Sequence, residues 1–205
     1  MIAGYIQINL VEMIDQIGED SVSSILSNFS SGGLNLDVEE FLKEKAIVFS
    51  RQGWSATHLV FASYKDKPVL VGYYTLASKY ITISKRNIPS KTLGKRISKF
   101  AEYNSDLKRY IMSAPLIAQI GKNYYNGYNS LITGDELLKL ACNKVKEIQL
   151  SLGGRFVYLE CEEKEKLLDF YGSNGFVNFG KRYMDRDEVE KMEGRYLIQM
   201  LKYVS

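Results

Sequence analysis

The sequence predicts a single-domain α/β protein in which helices flank a mixed sheet. Strand-like runs of β-branched and aromatic residues alternate with segments of helical periodicity, and no shift in composition marks a second domain. The chain has 205 residues, of which 45% are hydrophobic and 25% charged, as is ordinary for one core-forming domain. We therefore expect one domain over residues 1–205, with residues 1–30 as an N-terminal strand and helix extension.

The first half of the chain predicts a strand, a broken helix, an amphipathic helix and a hairpin. The corresponding segments are residues 6–10, 12–29, 38–49 and 57–76. The amphipathic helix has apolar residues at i, i+3 and i+4, and either Asp37 or Asn35 can cap it. The hairpin is predicted because two β-branched and aromatic runs flank the turn-forming residues 65–68.

The second half predicts a short helix in a basic stretch, followed by alternating strands and helices. The short helix carries Leu93, Ile97 and Phe100 on one side. The later segments are strands 116–121, 156–159, 176–183 and 195–203 and helices 134–150 and 164–171. The run 116–121 is continuously apolar, which is typical of a strand buried on both faces.

Basic residues are concentrated in one stretch, Lys79 to Arg109. This stretch holds nine basic and two acidic residues, a net charge of +7, so the rest of the chain carries −4 of the total of +3. Tyr80, Phe100 and Tyr103 lie among the basic residues. Clustered positive charge with interleaved aromatic residues favours a polyanionic partner such as nucleic acid, and a solvated helix face is the alternative interpretation.

The cysteine and histidine counts limit the chemistry. Cys142 and Cys161 are too few for a disulfide framework, and with the single histidine His58 they argue against a zinc site. His58 lies in an alternating strand and is expected to be at the surface or half-buried. Trp54 is expected in the core beside the hairpin, with substrate stacking as the alternative. No apolar run approaches the ~20 residues that span a bilayer, so we expect a cytoplasmic, metal-free protein without a membrane partner.

Three segments stand out in order along the chain: the strand end 118–123, the helix opening 133–138, and Phe170-Tyr171 followed by Gly175-Phe176. Together they resemble the motifs of the GCN5-related N-acetyltransferase (GNAT) superfamily. Segments 34–57 and 71–76 look most like the branch of toxin acetyltransferases that act on aminoacyl-tRNA. The resemblance extends over roughly residues 28–203. It implies a mostly antiparallel central sheet with a splayed central pair of parallel strands.

The resemblance also implies an acetyl-CoA site. The pantetheine arm pairs with the main chain at the strand end, and the diphosphate lies at the N-terminus of the following helix. The residues implied to bind the cofactor are Ile120, Gly121, Lys122, Asn129, Leu131, Ile132, Thr133, Gly134 and Asp135. Tyr171 is implied to be the general acid that protonates the departing CoA thiolate.

The implied reaction is direct attack of a primary amine on the thioester. An α-amino group with a pKa of about 7.7–8.0 is partly neutral at pH 7 and needs no strong base. Glu162 acting through water is an alternative base, and Glu160 lies on the same strand face. The acceptor is left open among an aminoacyl-tRNA bound through Lys79–Arg109, a small amine and a protein N-terminus. A homodimer is compatible with the resemblance.

The chain departs from the family pattern where the diphosphate is expected. Residues 129–134 keep only the last glycine of the usual motif, and Ile132 places a side chain where bare backbone normally wraps the phosphates. Thr133 and Glu136 have the spacing of a capping box, which satisfies a helix start without a ligand. Lys164 stands where an asparagine is common. A non-catalytic module with the same fold and a basic nucleic-acid-binding surface is therefore the second function class, and an acyl group longer than acetyl also stays open.

Overall fold

A computed structural model of the chain describes residues 4–190, 192 and 194–204. Its strands are β1 Tyr5–Asn9, β2 Ala56–Tyr64, β3 Lys67–Ser84, β4 Glu102–Asn104, β5 Arg109–Lys122, β6 Phe156–Glu162, β7 Val177–Tyr183 and β8 Tyr196–Tyr203. Its helices are α1 Leu10–Ile17, α2 Glu19–Ser27, α3 Leu36–Glu40, α4 Ala46–Arg51, α5 Lys91–Phe100, α6 Gly134–Leu152, α7 Glu165–Ser173 and α8 Arg186–Val189. A π-helical turn, Phe41–Lys45, joins α3 to α4, and 3-10 turns occupy Lys85–Asn87 and Tyr125–Leu131. The ends of the predicted domain, residues 1–3 and 205, lie outside the described residues.

The strands form one mixed sheet with the neighbour order β1-β2-β3-β5-β6-β8-β7, and β4 pairs with β5. The ladders β1–β2, β2–β3, β4–β5, β6–β8 and β7–β8 are antiparallel. β5 and β6 are parallel, in a short ladder that pairs Leu116 with Tyr158 and Ile117 with Leu159. The predicted mixed, mostly antiparallel α/β fold with a central parallel pair is confirmed.

Local signals in the sequence fix several of these boundaries. The side chain of Asn9 accepts hydrogen bonds from the first turn of α1, and Asn35, not Asp37, caps α3. The β2–β3 hairpin turns through Lys65 and Asp66, both of which have positive φ angles. Ser90 caps α5 within the basic stretch. Each signal acts over three or four residues, which is why the sequence predicted most of these elements.

The chain forms two compact units, of which the first comprises residues 4–77 and 118–141. Its core packs side chains of α1 and α2, together with Leu42 of the π-helical turn, against strand residues such as Leu59 and Tyr73. The Tyr73 phenol, fully buried, donates a hydrogen bond to the carbonyl of Val38. This bond fixes α3 to β3 inside the unit.

The second unit comprises residues 78–117 and 142–204. Its core includes Ile83, Ile97, Phe156 and Leu201, and Ile97 places the apolar side of α5 in that core. The predicted short helix within the basic stretch is confirmed. The basic residues of α5 remain outside the core, because Lys91, Lys95 and Lys99 recur every four residues on its exposed surface.

Two expectations about aromatic residues of the first unit are wrong. His58 is buried, with 8% of its surface exposed, and its ring stacks on Tyr74 with 5.0 Å between centroids. Trp54 is 61% exposed and touches Phe49 only edge to face, so it does not fill the core. The central position of β2, between β1 and β3, encloses His58, and strand alternation alone does not indicate this.

Among the described helices, none combines the length and the hydrophobicity required to cross a bilayer. The described histidine, cysteine and acidic side chains include no group of three that could hold a metal ion.

Candidate functional site

The end of β5 belongs to the first unit and carries three of the predicted cofactor-binding residues. Ile120, Gly121 and Lys122 are half-buried, and they are the last residues of the strand. A Cβ atom at Gly121 would lie 2.5 Å from Cγ1 of Val38, so α3 packs directly on this strand end. The Gln119 side chain also donates to the Asp37 carboxylate at 2.8 Å. The strand end is therefore held rigidly from the α3 side.

Asn123, the residue after β5, anchors the loop that follows the strand. Its Oδ1 accepts hydrogen bonds from the backbone N–H groups of Ser30 and Tyr125, each at 3.0 Å. Its Nδ2 donates to the carbonyl of Leu70 at 2.9 Å, and the side chain is almost fully buried. One asparagine thus joins two distant segments of the first unit, at Ser30 and Leu70, to the start of the loop. Sequence reasoning missed it, because its partners lie up to 93 residues away.

The loop reaches α6 through the 3-10 turn that holds Asn129 and Leu131. The Leu131 carbonyl accepts a hydrogen bond of 3.0 Å from the phenol of Tyr5 in β1, a residue that sequence reasoning also missed. Ile132 is only 2% exposed. Its side chain is therefore part of the interior of the first unit.

The N-terminus of α6 has the capping box that the sequence predicts. The Thr133 hydroxyl accepts a hydrogen bond from the Glu136 N–H at 3.1 Å, and the Glu136 carboxylate accepts from the Thr133 N–H at 2.8 Å. These hydrogen bonds lower the pKa of Glu136, and nearby Lys122 acts in the same direction. Gly134, the first residue of α6, has an N–H without a hydrogen bond in the described part of the chain.

The electrostatics of this helix start are mixed. Asp135 and Glu136 place two carboxylates in the first turn of α6. Acidic residues there stabilise the helix, since they complement the positive end of its dipole, but they also compete with an anionic ligand. Lys122 offsets part of this charge, because it lies close enough to affect the pKa of Glu136. The Gly134 N–H is open to an anion, whereas the Thr133 N–H becomes available only if the Glu136 carboxylate leaves it.

Tyr171 belongs to the second unit, near the C-terminal end of α7. It is 8% exposed and packs between Phe170 and Phe176, with ring centroids 5.0 and 6.0 Å away. Within the described residues no hydrogen bond to its phenol oxygen is found. Burial, and to a smaller extent the Cys161 thiol, raises the pKa of Tyr171 well above its usual range. The phenol is therefore protonated throughout the neutral range.

The spacing of Tyr171, Gly175 and Phe176 has its own structural cause. The Phe176 N–H donates to the Tyr171 carbonyl at 3.0 Å, and the Gly175 N–H donates to the Gly172 carbonyl at 2.9 Å. Gly175 has a φ angle of 81°. This pair of bonds with a left-handed glycine is a Schellman motif, which ends α7 and brings the buried Phe176 back against Tyr171. The motif thus positions the phenol through local hydrogen bonding.

The carboxylates on β6 are engaged with basic groups. Glu160 accepts from Arg182 at 2.6 Å and from Gln199 at 2.9 Å. Glu162 is paired with Lys164 at 3.0 Å. Glu160 is therefore held between two partners. The two carboxylates are about equally buried, and Lys164, at 46% side-chain exposure, is the more exposed of the two cations. Buried Cys161 has a pKa raised to about 11 by burial and by Glu162, so it is not an activated nucleophile.

No protein-family model and no curated protein matches the sequence. Solved structures do match its fold. A structure of AtaT complexed with acetyl-methionyl-tRNAfMet has a TM-score of 0.59 and 18% identity over 95% of this chain and 93% of that chain. A structure of a tyrosine-to-phenylalanine mutant of KacT has a TM-score of 0.59 and 17% identity, and the match covers 96% of this chain and 95% of that chain. A structure of AtaTR bound with AcCoA has a TM-score of 0.56 and 18% identity, and the match covers 96% of this chain and 94% of that chain. The chain therefore shares its fold with these proteins.

Proposed function

We propose that the protein is an acetyl-CoA-dependent N-acetyltransferase of the GNAT type, which transfers an acetyl group to a primary amine by direct attack. The observation that carries the proposal is Tyr171, a buried phenol with a raised pKa, which a Schellman motif holds at the end of α7. The fold shared with AtaTR, which was crystallised with AcCoA, supports the same donor for this chain.

In the proposed reaction the nitrogen lone pair of the amine attacks the thioester carbonyl carbon, and the carbon–sulfur bond then breaks. Tyr171 donates its proton to the departing sulfur, and the proton that the amine loses restores the phenol through solvent. An α-amino acceptor is partly neutral at pH 7, so no dedicated base is required. Glu160 is unsuited to that role because of its pairing with Arg182.

The donor-binding residues that we propose all belong to the first unit. Main-chain groups of Ile120 and Lys122, beside Gly121, bind the pantetheine amides. Main-chain groups of the loop and helix start bind the diphosphate, and these residues are Asn129, Leu131, Ile132, Thr133, Gly134 and Asp135. The free N–H of Gly134 and the nearby Lys122 support this assignment.

The acceptor that the observations favour is an aminoacyl-tRNA. The second unit contains 20 basic and 13 acidic residues, a net charge of +7, whereas the first contains 7 basic and 11 acidic residues, a net charge of −4. AtaT, which shares the fold, was solved in complex with acetyl-methionyl-tRNAfMet. A positively charged surface on the unit that carries Tyr171 suits a polyanionic acceptor. The Lys79–Arg109 stretch alone has a net charge of +7, which equals the net charge of the whole second unit.

The proposal is tested by acetyl-CoA binding and turnover. We expect acetyl-CoA to raise Tm and to protect amides between residues 116 and 134 from hydrogen exchange. Tyr171→Phe should keep this binding and lose about 10²–10⁴-fold in kcat, because only the transferable proton is removed. With a tRNA acceptor KM should rise steeply with ionic strength, and with a small neutral amine it should hardly change. An absence of both thermal shift and protection would refute the donor assignment.

One observation favours a second function, a nucleic-acid-binding module without catalysis. The capping box of Thr133 and Glu136 already satisfies the start of α6. If this cap excludes the diphosphate, acetyl-CoA will not bind, and RNA binding by the second unit will be the surviving activity. Turnover that is undetectable for the parent chain with every acceptor, together with salt-sensitive RNA binding, would establish this function instead.

A further inference from the structure

Two tyrosines form an exposed aromatic pair on the β7–β8 ladder of the second unit. Tyr183 and Tyr196 lie opposite each other, with ring centroids 4.5 Å apart and ring planes tilted by 39°. Tyr183 is 71% exposed, and Tyr196 is half-buried. The Nζ atom of Lys181 lies 4.4 Å from the centroid of the Tyr196 ring. Lys181, Tyr183 and Tyr196 are called the aromatic platform below.

The packing of the second unit does not account for the platform. The described core of this unit is built from other residues, among them Phe156, Phe179 and Leu201. A single exposed aromatic residue needs no explanation, but a pair of rings with a cation over one of them is a larger organised surface. The platform therefore has the form of a flat binding surface.

The platform lies on the sheet face that also carries Cys161. Ile198 of β8 is opposite Cys161 of β6 on one side and Lys181 of β7 on the other. Directly opposed residues in antiparallel ladders share a face, so these three form one row across the sheet. Tyr196 and Tyr183 form the next row on the same face, two residues along. From the spacing of strands and of residues along a strand, the Cα atoms of Tyr196 and Tyr183 lie roughly 8 and 12 Å, respectively, from the Cα atom of Cys161.

Tyr171 is close to the same face. The Cys161 thiol lies near enough to Tyr171 to raise the pKa of its phenol, second only to burial. The platform is also at the carboxyl end of β6, since Glu162 is opposite Leu197 and Tyr196 lies one residue beyond. A substrate extended over this face could therefore contact the platform and the proposed acid together.

The charge around the platform selects the kind of ligand. Lys181 and Arg195 are exposed beside the rings, and the unit carries a net charge of +7. Aromatic rings flanked by cations stack unpaired nucleobases while the cations hold phosphates. We propose that the aromatic platform stacks an unpaired nucleobase of the nucleic acid that carries the acceptor amine. The inference rests on the proposed function, because that function supplies the amine-bearing nucleic acid.

The test uses a short single-stranded RNA in which one base is 2-aminopurine, whose fluorescence is quenched by stacking. The full-length protein should quench it, and Tyr183→Ala should weaken binding about 5- to 100-fold. Tyr183→Phe keeps the ring and should bind like the parent chain. The matched control is Tyr64→Ala, because Tyr64 also has a tyrosine neighbour, Tyr128, and a lysine over its ring, but lies in the acidic first unit. This control should bind the RNA normally.

A second measurement separates the platform from the proposed reaction. Acetyl transfer to a small primary amine without a nucleotide should be unchanged in Tyr183→Ala. Equal RNA affinity of Tyr183→Ala and the parent chain would overturn the platform, as would an equal loss in Tyr64→Ala or a loss of transfer to the small amine. A parent chain that transfers acetyl to no amine at all would refute the proposed function, while Tyr183-dependent quenching would still support base stacking.

Discussion

The substitution Asn123→Ala removes three hydrogen bonds at once from the loop that follows β5. The two bonds accepted by Oδ1 measure 3.0 Å each, and the bond donated by Nδ2 measures 2.9 Å. Each contributes about 1 kcal/mol net, so the free energy of unfolding should fall by about 3 kcal/mol. For a chain of this length the loss corresponds to a decrease in Tm of roughly 6–12 °C.

Urea denaturation and calorimetry measure the loss, and hydrogen exchange locates it. The amides of Ser30 and Tyr125 should exchange faster, because each loses its acceptor. Asn143→Ala is the matched control, since Asn143 is exposed on α6 and its removal should change stability by no more than about 0.5 kcal/mol. Asn123→Asp replaces the donor to Leu70 by a buried carboxylate oxygen that faces the same carbonyl, so it should lose at least as much stability as Asn123→Ala.

A loss below about 1 kcal/mol in Asn123→Ala, or unchanged hydrogen exchange at Ser30 and Tyr125, would refute the role of Asn123 as the anchor of the loop. Either result would mean that the loop is held by its other contacts, such as the bond from Tyr5 to Leu131. Under the proposed function, acetyl-CoA affinity should also decrease in Asn123→Ala, because the anchored loop leads to the donor site.

Three further predictions follow from single groups. The kcat/KM for an α-amino acceptor should rise with pH to a plateau above about pH 8, because the amine deprotonates there while burial keeps the Tyr171 phenol protonated; a falling limb below pH 9 would contradict the assignment. Gly121→Ala should cost about 1–3 kcal/mol in urea denaturation, since its Cβ would meet Val38, whereas Gly172→Ala in open space on α7 should be neutral or stabilise by up to about 1 kcal/mol; equal effects would refute the close packing. At pH 8 iodoacetamide should alkylate Cys161 roughly 100-fold more slowly than an exposed thiol, because burial raises its pKa to about 11, and a rate equal to that of a cysteine peptide would contradict this.

Most helices and strands could be predicted from the sequence, because their causes are local. The hairpin turn at Lys65 and Asp66, the capping box at the start of α6 and the glycine that ends α7 each act within six residues. The boundaries were less accurate. β3 extends to Ser84 and β5 begins at Arg109, well beyond the predicted runs, because pairing between neighbouring strands continues through polar residues.

The candidate site was predicted only in part. Tyr171 and the strand end near Gly121 stand out through motif spacing, and their roles stay predictions. Asn123 and Tyr5 were missed, because what distinguishes them is their contact with residues 53 to 126 positions away. The interior position of Ile132 likewise depends on how the loop packs.

By itself, the sequence determined the capping box of α6, the glycine that ends α7, the hairpin turn and the stretch where positive charge accumulates, since these depend on neighbours within a turn or on composition. The tertiary structure alone decided which polar side chains became anchors, that His58 is enclosed while Trp54 is exposed, and that Tyr183 faces Tyr196. The physical reason is that burial and cross-strand pairing depend on the path of the whole chain, and residues distant in sequence become neighbours only once the sheet has formed.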